Sequence, residues 1–442
     1  MEVALRESTI DFLPPEIIAE IMDCVYNSYS DIAERYPVPY GLCLVSRKWN
    51  TIASATPTLW VSCRIFALNW EPSEYRPRLQ VFERRILRTG RLPLDLHLQV
   101  KIERNDHDVI PGDGFVAPSH WLSREELRNA LELLPAFIKT YSHKWRSIRM
   151  VAEDYNMISG MFLPPTLLNL ETAIFYCLPD KLTTREEEEG GRPVGLEIGK
   201  LSGPKLQRLI VHGEIRSIAW GSLDTPSVTE ITLACHCDII IASFLHLAAF
   251  KNLRILSISQ LAWHNQWPWQ DDWLADIPPL SVILLALEEL YMERFNYKLM
   301  SDAFRIFQMP NLATLAISRM PSSKQLAMEY PCLRSFAVAG VDGRDVELMR
   351  TLFKGARGLK RLAVGFYEPD DDQPDGIGLT MKQLLFENGD GEDSRLCPKL
   401  QKLYTNISPE ECEDVLKLLP DLVILPGFDY QTRGRDLFED RE

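Results

Sequence analysis

Apolar residues recur through the last two thirds of the chain at the first, fourth and sixth positions of short segments. Neighbouring segments start at intervals of roughly 20–40 residues. The eleven segments start at Trp145, Leu170, Leu206, Val228, Leu253, Leu287, Leu312, Leu333, Leu359, Leu400 and Leu422. Because alternate residues of a strand face the same side, positions four and six predict a strand with one buried face in each segment.

Proline marks these segments independently of the apolar pattern. Six of the eleven starts have a proline two residues earlier, whereas about one is expected by chance for a chain with 29 prolines in 442 residues. These prolines are Pro204, Pro226, Pro310, Pro331, Pro398 and Pro420. Between the predicted strands lie stretches of helical period, such as the one in which Val346, Met349, Leu352 and Phe353 share a face. Residues 145–430 are therefore predicted to form a solenoid with a strand and a helix in each repeat.

Residues 12–60 have a different pattern, with the spacing of two amphipathic helices. The first predicted helix has the stripe Leu13, Ile17 and Ile21, widened by Ile18 and Met22. The second, predicted to start at Leu42, has the stripe Leu42, Val45, Trp49 and Ile52. Two such helices carry more apolar side chain than about 50 residues can bury alone. A partner surface is therefore expected here.

The strings LPPEIIAEIM, LCLVSRKWNTIA and TPTLW resemble an F-box, the helical module that binds the Skp-type adaptor of cullin–RING ubiquitin ligases. The matching residues are Leu13, Pro14, Glu16, Ile17, Ile18, Ile21, Val45, Ser46, Arg47, Trp49, Pro57, Leu59 and Trp60. The resemblance implies these adaptor-binding residues: Leu13, Pro14, Ile17, Ile18, Ile21, Val45, Trp49, Pro57, Leu59 and Trp60. The stretch from Tyr26 to Gly41 is longer than the family's usual short linker and is acidic. The alternative, a helical hairpin that caps a larger domain, stays open.

The repeats resemble leucine-rich repeats of an irregular kind, so the whole chain is similar to fungal-type F-box proteins with such repeats. The family's buried Asn or Cys after the triplet is replaced by Leu261, Phe295, Met320, Val341 or Tyr367. The resemblance implies an α/β fold in which a helical F-box precedes an irregular leucine-rich-repeat-like solenoid. The predicted domains are the F-box at 8–60, degenerate early repeats or a linker at 61–144, the solenoid at 145–430 and a polar tail at 431–442. Within 61–144, Leu94, Leu96 and Leu98 alternate as in a strand, and Ser123 begins a capping-box pattern ahead of a helix.

Charge and composition argue against several classes of partner. The chain carries 62 acidic and 48 basic side chains, a formal net charge of -14, which disfavours nucleic acid and anionic membrane surfaces. No stretch has the roughly 20 apolar residues of a membrane span, and the start MEVALRESTIDF lacks the pattern of a secretory signal. Nine scattered cysteines predict reduced thiols. We expect a soluble intracellular protein of the cytoplasm, the nucleus or both.

Each candidate motif for catalysis or metal binding is better explained by a structural role. Cys235, His236 and Cys237 are adjacent, so in a strand they point to opposite faces, and no second ligand pair lies at a zinc-like spacing. The segment 375–378 lacks the third glycine and the basic residue of a phosphate-binding loop. No Gly-x-Ser-x-Gly elbow is present. We expect no catalytic residue, no metal and no cofactor, and a protein that is not an enzyme.

Recognition of another protein is the function that the repeats favour. Candidates on the outward positions of the strands are Arg208, His212, Tyr291, Glu293, Arg361 and Tyr404. The acidic runs at 186–189 and 368–375 are expected to be solvated loops. Between them, Trp263, Trp267, Trp269 and Trp273 lie close together in the chain. Such a cluster either packs against the solenoid or binds a partner, so Trp263, Trp267 and Trp269 join the candidates.

Two functions are consistent with these features. In the first, the chain is the substrate-recognition subunit of an SCF-type (Skp–cullin–F-box) E3 ubiquitin ligase. The F-box then binds the adaptor, and through it a cullin–RING ligase, while the repeats bind an unknown protein substrate. In the second, the chain is a non-catalytic scaffold that binds the adaptor without delivering a substrate.

Overall fold

The computed structural model divides the chain into two compact units, Met1–Thr225 and Pro226–Glu442. It describes residues 12–30, 32–67, 72–100, 124–152, 167–177, 196–197, 203–213, 218–220, 226–235, 243–260, 281–295, 297–321, 330–341, 345–366, 384–386, 395–406 and 412–426. Both units contain helices and a sheet of parallel strands, which confirms the α/β class with an extensive parallel sheet. The domain boundaries expected after residues 60, 144 and 430 remain predictions.

In the first unit, parallel strands lie side by side in chain order, each paired with its predecessor. They are β1 (Ser62–Ala67), β2 (Leu94–Val100), β3 (Trp145–Ala152), β4 (Thr172–Cys177) and β5 (Arg208–Gly213). The helices are α1 (Pro15–Asn27), α2 (Ile32–Arg35), α3 (Val38–Cys43), α4 (Arg47–Ala55), α5 (Pro72–Arg88) and α6 (Arg124–Thr140). A separate two-residue pair joins Leu196–Glu197 to Ile218–Ala219.

The second unit repeats this order of parallel strands. Its strands are β6 (Glu230–Cys235), β7 (Ile255–Gln260), β8 (Glu289–Glu293), β9 (Thr314–Ile317), β10 (Ser335–Val341), β11 (Arg361–Phe366), β12 (Lys402–Thr405) and β13 (Val423–Pro426). Its helices include α7 (Tyr297–Ile306), α8 (Val346–Gly355) and α9 (Glu413–Leu418). Val282–Ile283 pairs separately with Phe307–Gln308.

A strand is present at each of the eleven predicted segments, including the weak one after Leu422. In β5, Leu209 and Val211 are fully buried, whereas Arg208 and His212 are partly exposed. The same alternation runs along β4, β7 and β12. Because successive residues of a strand face opposite sides, the fourth and sixth positions of the first ten segments lie on one buried face. The weak segment at Leu422 departs from this pattern: Leu425 is partly exposed, and Leu403 pairs with Ile424.

Side-chain amides tie some of the turns before these strands to the preceding turn. Asn169, Asn252 and Asn311 each stand directly before the first apolar residue of a segment. They donate to the carbonyl oxygens of His143, Pro226 and Leu285, at 2.6, 2.5 and 2.8 Å. In each case the acceptor lies 26 residues earlier, one more than the 25 residues between the two segment starts. These amides were not predicted from the sequence, although their fixed place before the segment was a usable signal.

Two further predicted elements, the helix at Val346 and the strand at Leu94, are also found. In α8, Val346, Met349, Leu352 and Phe353 are buried, as their shared face predicts. The strand expected around Leu94 is β2, in which Leu94, Leu96 and Leu98 are fully buried. A helix, α6, begins at Arg124, whereas Ser123, its predicted cap, lies outside the described residues.

Gly213 ends β5 at a place where a side chain does not fit. Its φ of 121° lies in the region that favours glycine. A Cβ added there would overlap the carbonyl oxygen of Cys177 in the neighbouring strand. The pairing of β4 and β5 at this end therefore depends on glycine.

Gly213→Ala is expected to lower the free energy of unfolding by more than about 2 kcal/mol, because the backbone has to move away from Cys177. Gly41→Ala is the matched control, since Gly41 lies in α3 and an added Cβ stays more than 4 Å from the described atoms around it. This control should be neutral or slightly stabilising. Urea unfolding of both variants makes the comparison, and equal stability would contradict the close approach of β4 and β5.

Candidate binding surfaces

Residues 12–60, here named the helical module, have a core of their own. Eight buried side chains form it: Ile18, Met22, Tyr26, Leu42, Trp49, Ala53, Leu59 and Trp60. The indole N–H of Trp60 donates to the carbonyl of Ala53 at 2.8 Å, which ties the 3₁₀ turn Pro57–Trp60 to α4. Lys48 Nζ donates to the carbonyl of Leu13 at 2.7 Å, which places the start of α4 beside the start of α1.

The second helix of this module was predicted wrongly in its start and in its stripe. Instead of one helix from Leu42, α3 ends at Cys43 and α4 begins at Arg47. Ser46 caps α4, because its hydroxyl oxygen accepts a hydrogen bond from the backbone N–H of Trp49 at 3.2 Å. Val45 therefore lies outside both helices and is 57% exposed, whereas Trp49 is 6% exposed.

The long stretch from Tyr26 to Gly41 contains α2 and most of α3. Its tyrosines pack against neighbouring elements. The ring centroids of Tyr40 and Trp60 lie 5.5 Å apart, edge to face, and those of Tyr36 and Phe82 of α5 lie 6.2 Å apart. The residues that depart from the family pattern thus supply contacts between the helical module and α5.

Arg85 of α5 lies at the centre of these rings and is 2% exposed. Its guanidinium lies 4.4 Å from the Tyr36 centroid, 5.3 Å from that of Tyr40 and 5.2 Å from that of Trp60. Nη1 donates to the carbonyl of Tyr36 at 3.2 Å, while Nε and Nη2 have no hydrogen-bond partner among the described residues. Aromatic faces therefore stabilise this buried cation.

Burial also raises the pKa of two groups near Arg85. The pKa of the Cys63 thiol in β1 is raised to about 12, although Arg85 acts in the opposite direction. Burial raises the pKa of Tyr36 as well, with Tyr40 adding to the shift and Arg85 opposing it. Both groups stay protonated at neutral pH, so Arg85 has no thiolate or phenolate counter-ion there. A hydrogen bond of 2.6 Å between the hydroxyls of Tyr26 and Ser62 further joins α1 to β1.

The residues predicted to contact an adaptor differ in exposure. Pro14, Ile17, Val45 and Pro57 are exposed, Leu13 and Ile21 are partly buried, and Ile18, Trp49, Leu59 and Trp60 are buried. The last four belong to the core of the helical module. In this conformation they determine its shape and do not present their side chains to a partner.

Two further apolar residues of the helical module, not selected from the sequence, are strongly exposed. Phe12 is 71% exposed and Leu44 is 86% exposed, next to Leu13 and Val45 in the chain. Neither fits a helical stripe, and that misfit was the available signal. We name Phe12, Ile17, Leu44 and Val45 the apolar patch.

A shallow groove of about 530 Å³ runs between α1 and α4 within the same module. Its lining is Pro15, Glu16, Ala19, Lys48, Thr51, Ile52, Ala55 and Thr56. Most of the exposed lining is apolar, and it includes one acid, one base and two threonines. Such a groove suits the side chain of a protein partner more than a charged small molecule.

Arg208 and His212 lie on the outward face of β5, opposite the buried Leu209 and Val211. The ring of His212 lies 5.4 Å from that of Tyr176, its neighbour in β4. The structure therefore brings these two substrate-binding candidates together on one face of the first unit.

The second unit brings four candidates onto its own outward face. A row of cross-strand neighbours consists of Tyr291, Ala316, Ala337, Ala363 and Tyr404. Tyr291 is 3% exposed and its hydroxyl donates to Glu289 at 2.9 Å, so it belongs to the packed part of this face. Glu293, Arg361 and Tyr404 are partly exposed.

The remaining candidates lie outside the described residues: Trp263, Trp267, Trp269, the acidic runs at 186–189 and 368–375, His236 and Cys237. Both explanations of the tryptophan cluster stay open. Over the residues that the structure does describe, no group of three or more His, Cys, Asp and Glu side chains is placed to hold a metal ion. In the same part of the chain, no helix has the length and apolar character needed to cross a membrane.

Arg85→Ala is expected to lower the free energy of unfolding by about 2–4 kcal/mol, because it leaves a cavity among three rings. Arg85→Met refills most of that volume without a charge and should cost less than about 1.5 kcal/mol. Urea unfolding measures both variants. An equal loss in the two would show that the charge, and not the packing, dominates this junction.

Comparison with known proteins does not assign a function to this chain. No protein-family model matches the sequence, and no curated protein matches it. The function is therefore inferred from the residues and contacts described above.

Proposed function

We propose that the helical module is an F-box and that the protein is the substrate-recognition subunit of an SCF-type E3 ubiquitin ligase. The observation that carries the proposal is the apolar patch, whose members are 41–86% exposed on a module with a complete core. Several large apolar side chains left exposed on a small module whose core is already filled favour a protein-binding surface. Full burial against a partner would contribute about 1.5–3 kcal/mol for each large apolar side chain.

The surroundings of the patch support a protein partner. Glu16, Arg47 and Lys48 lie close to its members in the chain. Protein interfaces usually have a polar rim around an apolar centre, and these charged residues are the candidates for such a rim. Two of the four patch residues, Ile17 and Val45, match F-box positions, and this resemblance is the reason for proposing a Skp-type adaptor as the partner.

The repeats support the second half of the proposal. Parallel strands in chain order, with one strand for each apolar segment, fit irregular leucine-rich repeats over residues 145–430. A receptor built in this way performs no bond chemistry. It binds adaptor and substrate at separate places and so raises the effective concentration of substrate at the ligase. The described substrate-binding candidates that remain accessible are Arg208, His212, Glu293, Arg361 and Tyr404.

The junction around Arg85 gives the helical module a fixed place on the sheet of the first unit. Tyr36, Tyr40 and Trp60 of the module surround this residue of α5, and Tyr26 bonds to Ser62 of β1. A receptor needs such a connection, because a loosely tethered adaptor module would not hold the substrate at a defined distance from the ligase.

The double variant Leu44→Glu/Val45→Glu is expected to weaken binding of the full chain to a purified Skp-type adaptor at least about 100-fold. Two apolar contacts are lost and two charges would have to be buried. Isothermal titration measures the affinity. Leu87→Glu, at a position 72% exposed on α5, is the matched control and should bind like the wild type. Because all three positions are exposed, urea unfolding should be unchanged in both variants.

A folded wild-type chain that fails to bind the adaptor would contradict the F-box assignment. Equal loss in the control would place the interface elsewhere. Receptor and scaffold are separated by a second step, in which the complex recruits a cullin and ubiquitin is transferred to a bound protein. Adaptor binding without transfer would favour the scaffold.

A further inference from the structure

The exposed face of α5 carries a line of basic side chains. Arg76, Gln80, Arg84 and Arg88 recur at every fourth position of this helix, and all four are exposed. Because side chains four residues apart lie one above the other on a helix, they form one ridge, here named the arginine ridge. It is about 18 Å long at about 1.5 Å per residue. Arg91, in the turn that follows α5, is exposed as well.

Neighbouring acids do not balance this charge. Within the part of the chain that the structure describes, neither the arginines of the ridge nor Arg91 form an ion pair or a side-chain hydrogen bond. Of the two acids in α5, Glu74 forms an ion pair with Arg78 at 2.9 Å, and Glu83 is only partly exposed. The ridge and Arg91 thus carry four positive charges, against the single negative charge of Glu83.

The C-terminal end of α5 adds to the basic surface. Lys144 Nζ donates to the carbonyl oxygen of Gly90 at 2.6 Å, so a further cation lies at this end of the helix. The guanidinium of Arg88 lies 4.3 Å from the ring centroid of Trp60, in the helical module. This stacking holds Arg88 in place at the border with the module.

Apolar side chains lie exposed beside the ridge. Leu87 is 72% exposed and Val81 is 49% exposed, and each lies three residues from Arg84. Residues three apart are neighbours on a helix surface, so basic and apolar groups alternate across this face. The inner face of α5, which includes Phe82 and Ile86, is buried. Leu87 therefore contributes little to the packing of α5 itself.

The charge of α5 is opposite to that of the first helix and of the chain as a whole. In α1 there are three acids, Glu16, Glu20 and Asp23, and no base, and the net charge of the chain is -14. A basic region on an acidic chain attracts acidic groups locally, while the rest of the chain repels them. An acidic ligand is thereby directed to α5.

The spacing and the flanks of the ridge fit a second helix. Ridges of side chains at every fourth residue pack into the grooves of another helix, and arginines about 6 Å apart along the axis match acids four residues apart on it. An extended strand fits less well, because α5 pairs its backbone groups within the helix and would leave those of the strand without partners. A nucleic acid or an anionic membrane also fits less well, since the net charge of the chain opposes a dense polyanion.

We propose that the exposed face of α5 binds an acidic helix of a second protein. That helix carries glutamate or aspartate at every fourth residue, opposite the arginine ridge, and apolar residues beside them that contact Leu87 and Val81. No residue of this face belongs to the apolar patch of the helical module, so the partner is distinct from the adaptor. The proposal does not depend on the F-box assignment.

Fluorescence anisotropy of the purified full chain at low salt tests this binding. The probe, here named the ridge peptide, is a labelled peptide of about 16 residues made of Glu-Leu-Ala-Gln repeats, all of which favour helices. In one control, glutamine replaces each glutamate. In a second control, the same residues are reordered so that the glutamates are spread around the helix. We expect the ridge peptide to bind at least about tenfold more tightly than either control.

Variants of the chain locate the site. Arg76→Gln/Arg84→Gln should weaken binding of the ridge peptide at least about fivefold, and Arg76→Lys/Arg84→Lys should keep most of it because the charge is retained. Leu87→Glu should weaken binding of the ridge peptide but not of the adaptor. Arg357→Gln/Lys399→Gln is the matched control, since it removes the same charge at exposed positions of the second unit and should change nothing. Unfolding of each variant is measured alongside.

Several results would overturn the proposal. The wild-type chain could fail to bind the ridge peptide, the reordered peptide could bind equally well, or Arg76→Gln/Arg84→Gln could bind like the wild type. A single-stranded oligonucleotide, or vesicles of phosphatidylcholine with about one fifth phosphatidylserine, could bind more tightly than the peptide. Self-association that is lost in the same variant, measured by analytical ultracentrifugation, would make a second copy the ligand.

The adaptor experiment keeps this test separate from the F-box assignment. Leu44→Glu/Val45→Glu should bind the ridge peptide like the wild type, because neither residue belongs to α5. A chain that binds the ridge peptide but no adaptor would refute the F-box alone. A chain that binds the adaptor but not the ridge peptide would refute the α5 surface alone.

Discussion

The stacking of apolar residues on one face of the parallel strands is the constraint on which the rest of the structure depends. In the second unit, Leu256, Leu290, Leu315, Phe336, Leu362 and Leu403 are successive cross-strand neighbours, and all are fully buried. Each of these residues occupies the fourth position of its segment. A strand has only two faces, so the commitment of one to this stack leaves the other for the alanine, polar and aromatic residues of the outward rows. The outward faces of both units are therefore consequences of the core.

The helical module uses the same division between a packed interior and a selective surface. Trp49 and Trp60 belong to its buried core, whereas Leu44 and Val45, which lie between α3 and α4, are exposed. Its junction with the sheet is built from aromatic rings around the cation of Arg85. Proposed adaptor binding and proposed substrate binding thus occur on surfaces that are held by separate sets of buried contacts.

The sequence predicted the strands well because their signal is local. A period of two within each segment, and a proline two residues before six of them, suffice to place a strand. The break between α3 and α4 could not be predicted in the same way. The spacing of Leu42, Val45 and Trp49 fits a continuous helix, and the hydrogen bond from Trp49 to Ser46 decides against it.

Non-local contacts account for what the sequence left undetermined. Nothing near Arg85 in the chain indicates that it is buried, because Tyr36, Tyr40 and Trp60 all belong to the helical module, far from α5 in sequence. In the same way, the contact between His212 and Tyr176 depends on the pairing of β4 with β5, which joins residues 36 positions apart in the chain.

Hydrogen–deuterium exchange of the full chain, with and without a purified Skp-type adaptor, tests whether the exposed apolar residues of the helical module bind the adaptor. We expect a stable complex in which exchange slows at residues 12–17 and 44–48, while the strands of both units exchange as they do in the free chain. A folded chain that forms no complex, or one whose protection lies away from these two segments, would contradict it.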